Sequence, residues 1–191
     1  MKPQNNIAIV TGGNVATGVD TAKESRQFDG PNQPVIAGRL LLRLFATTPL
    51  TSILVARIVL AGVMIPHGAQ KLFGWFGGYG FTGTMNFFTG TMHIPWMFAL
   101  AAILAESVGA IALLAGLGTR LAAAAIATNM VVAVLTSHLG NGFFMNWFGN
   151  QKGEGFEYHL IAIGLALVLM IQGGGRWSAD GRMTSDSSST R

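Results

Sequence analysis

From Thr51 onward the chain runs in long apolar stretches separated by short polar or aromatic ones. Four apolar runs stand out, near residues 51–73, 95–117, 119–139 and 156–173. A helix that crosses a bilayer needs about 20 apolar residues, within a range of about 17–25. The first three runs meet that length. The fourth is short and carries Glu157 and His159 in its first turn, which places that turn at the membrane interface. Only Gly116-Leu117-Gly118-Thr119 separates the second run from the third, so these two form an antiparallel hairpin. Backbone polar groups must be satisfied inside lipid, so the pattern predicts an all-α membrane protein, a four-transmembrane-helix bundle.

The flanks differ in texture. Residues 1–50 read as a cytoplasmic tail that is mostly disordered, with an amphipathic helix at 35–47 in which Arg39 and Arg43 share a face. Ile7 to Gly18 imitates the strand-and-glycine opening of a dinucleotide-binding fold. The helix that such a motif requires does not follow it, so no nucleotide site is expected there. Residues 51–175 form the transmembrane domain, and 176–191 read as a disordered cytoplasmic tail.

Composition agrees with the pattern. Half of the 191 residues are hydrophobic and 10% are charged, against about 25% charged in a typical soluble domain. The absence of cysteine excludes disulfides, CxxC redox centres and thiolate metal sites. The net charge of +4 is explained by topology rather than by nucleic acid. Lys and Arg gather in the N-terminal tail, at Arg120 and in the C-terminal tail, while Lys71 and Lys152 stand alone on the other side. The positive-inside rule therefore puts both termini in the cytoplasm, with loops 74–94 and 140–155 outside. Residues 73–93 and 140–156 hold twelve of the eighteen aromatic residues. They read as an interfacial belt that also covers the mouth of the bundle.

Ionisable groups inside a span cost about 2.5–3.5 kcal/mol each on insertion scales, so each needs a partner or a task. At about 1.5 Å per residue, Arg57 lies about 9 Å and His67 about 24 Å along the first helix. Glu106 lies about 15 Å from the cytoplasmic end of the second helix, at the depth of Asn129 on the third. Two tiers follow: Arg57, Glu106 and Asn129 in the inner half, and His67, Lys71, His138, Glu157 and His159 near the outer end. Ala102, Gly109 and Ala110 share the Glu106 face, and small residues let a neighbouring helix approach, so Glu106 points into the bundle. It is either a structural partner of Arg57 or Asn129, or a proton-relay or substrate-binding carboxylate. Pro66 bends the first span. His67 and Lys71 share its outer face, either as interfacial anchors or as donors to an anionic or quinone-type oxygen. Haem ligation by His67 and His138, and a metal site at His138, Glu157 and His159, are the weaker readings; no metal is expected.

The sequence resembles the DoxX family of small bacterial inner-membrane proteins. The matching features are Arg57, His67-Gly68-Ala69-Gln70-Lys71-Leu72-Phe73-Gly74, Glu106-Ser107-Val108-Gly109, Thr119-Arg120, Asn141-Gly142-Phe143-Phe144 and Gly155-Phe156-Glu157-Tyr158. They extend over about residues 51–175. The resemblance implies a four-helix bundle with an oxidoreductase label, quinone as the cofactor or substrate, and membrane lipid, partner redox subunits or further copies of the chain as partners. On this reading Glu106, His67 and Arg57 are the catalytic candidates. Lys71, Asn129, His138, Asn141 and Glu157 are the candidates for quinone or substrate binding. The alternative function is a non-enzymatic anchor or assembly factor for a partner complex. A solute carrier is disfavoured because the halves show no clear inverted repeat.

Overall fold

The computed structural model describes residues 43–47 and 50–186. The expected disorder before residue 43 and most of the amphipathic helix at 35–47 lie outside the described residues. Residues 43–45 are helical.

The described chain is helical and contains no strand. Helix α1 spans Thr51–Phe73 and runs through Pro66 without interruption. A short α2 (Gly80–Asn86) and a π-helical turn (Phe87–Thr91) follow in the first loop. Helices α3 (Trp96–Glu106) and α4 (Val108–Ala115) make up one span, broken at Ser107. Helix α5 (Thr119–Ala133) continues through a π turn (Val134–His138) to Asn141. Helix α6 spans Glu157–Gln172, and α7 spans Ala179–Asp186. Three segments are long and apolar enough to cross a membrane: Thr51–Phe73, Trp96–Ala115 and Thr119–Asn141. Helix α6 is apolar but shorter, at 16 residues. That corresponds to about 24 Å, against a hydrocarbon core of about 30 Å.

Helix α1 packs against α4 and α6, and α5 against α4 and α6. The seams pair large residues with alanine. Leu60, Met64, Leu113, Ile126 and Leu169 are buried alongside Ala61, Ala110, Ala123 and Ala166. Lipid is as apolar as a leucine, so such contacts gain by close packing rather than by escape from water.

A close approach falls where α1 crosses the break in the second span. A Cβ added to Gly68 would lie 2.7 Å from the Ser107 Cα. Ser107 Oγ donates to the carbonyl of Ile103, four residues back, at 2.6 Å. This local bond competes with the helix ladder and bends helices. The break therefore receives the neighbouring backbone, and only glycine fits opposite it.

At the opposite end of the bundle, residues 173–186 form a clasp, so the disorder expected from residue 176 gives way to order as far as Asp186. The Asp180 carboxylate accepts from Gly118 N at 2.7 Å and Thr119 N at 2.9 Å. It thus caps the first turn of α5, where free N–H groups and the helix dipole favour an anion. Arg57, which is 2% exposed, donates to the carbonyls of Gly174 at 2.6 Å and Trp177 at 3.2 Å. Arg120 donates to the carbonyls of Ala46, Met170 and Ile171. The expected Arg57–Glu106 contact does not form. Side chains on a helix lean towards its N-terminus, so Arg57 leans towards the clasp and away from Glu106.

Replacing Asp180 with alanine should cost about 0.5–2 kcal/mol, the usual penalty for losing a cap. Denaturant titration of the purified protein in detergent should show a lower unfolding midpoint. An unchanged midpoint would show that the clasp does not hold the hairpin.

Candidate functional site

The Gly68–Ser107 crossing sets the position of the polar centre. Lys71 lies one turn beyond Gly68 on α1, and Glu106 adjoins Ser107 on α3. Lys71 leans towards the N-terminus of α1 and Glu106 towards the N-terminus of α3. The two helices are antiparallel, so the side chains lean towards each other. Lys71 Nζ forms an ion pair with Glu106 Oε2. The second carboxylate oxygen, Oε1, accepts from Asn129 Nδ2 at 2.6 Å. Glu106 is 5% exposed, and both of its oxygens are satisfied by neighbours from two other spans.

These three groups line a cavity of about 910 Å³. His67 and Met64 of α1, Tyr158 and His159 of α6, and His138 at the end of the third span also face it. Aromatic and methionine side chains of the first loop, among them Phe87, Phe88 and Met92, cover its loop end. The two expected tiers therefore merge, because Glu106 and Asn129 join the outer histidines and Lys71 in a single chamber. Ligand sites typically measure about 300–1,000 Å³ and combine apolar walls with a few convergent polar groups.

The histidines cluster. The rings of His138 and His159 lie 4.1 Å apart, and those of His67 and Tyr158 lie 6.0 Å apart. His138 Nδ1 is hydrogen-bonded to the Glu154 carbonyl at 2.9 Å, which fixes that ring to the second loop. Two polar atoms remain open. Tyr158 Oη and His159 Nδ1 are buried and have no hydrogen-bond partner among the described residues. Buried polar groups are paired in the great majority of cases, so an unpaired one beside a cavity points to a missing ligand or water.

Three candidates fall outside the chamber. Arg57 belongs to the clasp. Asn141 Nδ2 donates to the carbonyls of Ser137 and Glu154, at 3.2 and 3.1 Å. Glu157 Oε1 accepts from Met145 N and Trp147 Nε1, at 3.1 and 3.0 Å. Both residues shape the second loop over the bundle. Glu157 and His159 are two positions apart and so diverge on the helix, which sends only the histidine inward. Sequence reasoning passed over Tyr158 as a site residue. Its signal was its place one residue before an intramembrane histidine.

Residues 52–139 match the family model described as DoxX. The matched segment takes in nearly all of the three long apolar helices. The match stops short of Tyr158 and His159, whereas the resemblance read from the motifs reached about residue 175. No curated protein and no solved structure matches the chain.

A double-mutant cycle tests the polar centre. Lys71→Met leaves a buried carboxylate without its cation, and breaking such a pair costs about 3–5 kcal/mol. Glu106→Gln alone should also destabilise. The double variant should recover most of the loss of Lys71→Met, read as the midpoint of denaturant unfolding in detergent. Additive single losses would show that the two groups do not interact.

Proposed function

We propose that this integral membrane protein is a quinone-linked redox protein or an accessory subunit of a membrane oxidoreductase. The observation that carries this reading is the open pair of buried polar atoms, Tyr158 Oη and His159 Nδ1, beside the Lys71–Glu106–Asn129 centre in an apolar chamber. A quinone is an apolar ring with two carbonyl oxygens that accept hydrogen bonds, and it takes up two electrons and two protons on reduction. Tyr158 and His159 supply donors for such oxygens. Glu106 is held by an ammonium group on one side and an amide on the other, which keeps a carboxylate inside the bundle without water. His67 stands in the same chamber as a second group able to carry a proton. The DoxX domain and its three long apolar helices support placement in a membrane.

In this scheme α6 is a fourth span, shortened at its Glu157 end where the aromatic loops meet the interface. The membrane is the bacterial plasma membrane, with both termini cytoplasmic, and electrons arrive from a partner redox subunit. A second reading makes the bundle only an anchor for a partner complex, and the exposed aromatic rings of the second loop, Trp147 and Phe148, favour it. An anchor needs no ligand in the chamber.

Quinone binding separates the two. The purified protein should bind a benzoquinone, and Tyr158→Phe should weaken binding about fivefold, the equivalent of one hydrogen bond of about 1 kcal/mol. No binding by the purified protein, with or without co-purified partners, would overturn the redox reading. A reporter active only outside the cytoplasm should be active when fused at Gly90 and silent at Gly30; the opposite pattern would reverse the orientation.

A further inference from the structure

The chamber is walled unevenly. Where α3 and α5 flank it, alanines make up much of its lining, Ala101, Ala102 and Ala105 on one helix and Ala124 and Ala125 on the other, with the larger Phe98 and Val132 nearer the loop ends of those helices. Elsewhere on the second span the exposed positions are large, as at Leu104, Val108 and Ile111. Ala101, Ala125 and Thr128 line the cavity and are exposed, and Ala125 and Thr128 share their face of α5 with Leu121, which is exposed and lies outside the cavity lining. Ala125 lies six residues from the start of α5, about 9 Å along its axis. The cavity therefore opens sideways, within the length of the spans, as well as beneath the loops. The alanine faces lead to the polar centre, since Ala102 and Glu106 are one turn apart, as are Ala125 and Asn129. A strip of small residues can simply admit another helix. Here the space behind it contains His159, 6% exposed, with an unpartnered Nδ1. A packed apolar helix would leave that atom unsatisfied, whereas a ligand with a polar head would satisfy it.

We propose that the gap between α3 and α5 is a lateral port, through which a lipid-phase ligand enters the chamber and its apolar tail extends into the bilayer. This rests on the quinone reading and narrows it to long-tailed, membrane-resident quinones. The tail gains little by leaving lipid for an equally apolar groove. The port acts sterically: it lets the head reach Glu106 and Asn129 while the tail stays outside. Large side chains at the port would exclude a tailed molecule and spare one that consists of the head alone.

The test uses full-length protein in lipid nanodiscs and two probes with the same head, a benzoquinone carrying a long isoprenoid tail and the same ring carrying a methyl group instead. Ala125→Phe and Ala101→Phe fill the port from opposite sides, and Ile111→Phe is the control on an exposed face of α4. Each port variant should weaken binding of the tailed probe by about tenfold or more, while the tail-less probe stays within about threefold of the unsubstituted protein. Ile111→Phe should change neither. Retained binding of the tail-less probe also shows that the variant is folded. If the unsubstituted protein binds both probes but neither port variant affects the tailed one, the gap belongs to lipid or to a packed helix, and the port is overturned while the quinone reading stands. Parallel loss of both probes in both variants overturns the port as well. If the unsubstituted protein binds neither probe, both proposals fail.

Discussion

The ion pair between Lys71 and Glu106 organises the bundle. A carboxylate and an ammonium group in a low-dielectric interior are each expensive, and their attraction offsets that cost only when they are close and otherwise satisfied. Closeness comes from Gly68, which lets the first span rest on the break at Ser107 in the second. Satisfaction comes from Asn129 on the third span, which occupies the other carboxylate oxygen. One glycine, one helix break and one amide thus make a buried charge tolerable, and they join three spans around the chamber.

The remainder of the structure builds on that arrangement from both ends. At one end the clasp of residues 173–186 caps α5 through Asp180 and supplies carbonyl partners to the buried Arg57. At the other end Glu157 and Asn141 spend their hydrogen bonds on the second loop, which holds it over the bundle. With those charges used at the ends, the interior keeps a small set of polar groups. Among the described residues that line the chamber, Tyr158 and His159 present buried side-chain atoms without partners; the other two such atoms, Arg57 Nε and Thr119 Oγ1, lie at the clasp end. The fixed groups frame the chamber, and the unpartnered ones are the atoms that the proposed ligand would engage.

Much of the fold was legible in the sequence because apolar run lengths and the four-residue link are local signals. The burial of Glu106 was legible from the small residues on its face, and its bond to Asn129 from their matching depth. The expected Arg57–Glu106 contact fails because depth counted along the backbone ignores that side chains lean towards their own helix N-terminus. The same lean, applied to two antiparallel helices, accounts for the Lys71–Glu106 pair. The ordered tail left no local trace, because Asp180 caps a helix 62 residues away. The roles of Glu157 and Asn141 depend on how a loop folds, which periodicity does not encode. The side opening required three-dimensional neighbours as well, since its alanines belong to two different spans.

The proposed occupant of the chamber behind the Lys71–Glu106 pair is a quinone. Photo-crosslinking addresses it most directly: an azido-substituted quinone is illuminated with the protein in membranes, and the labelled peptides are mapped by mass spectrometry. With a quinone bound there, labels should fall on chamber residues such as Met64, Met130 and Tyr158 and be removed by excess unlabelled quinone. Labels confined to residues exposed on the outside of the bundle, such as Ile111 and Ile161, and unaffected by excess quinone, would contradict it.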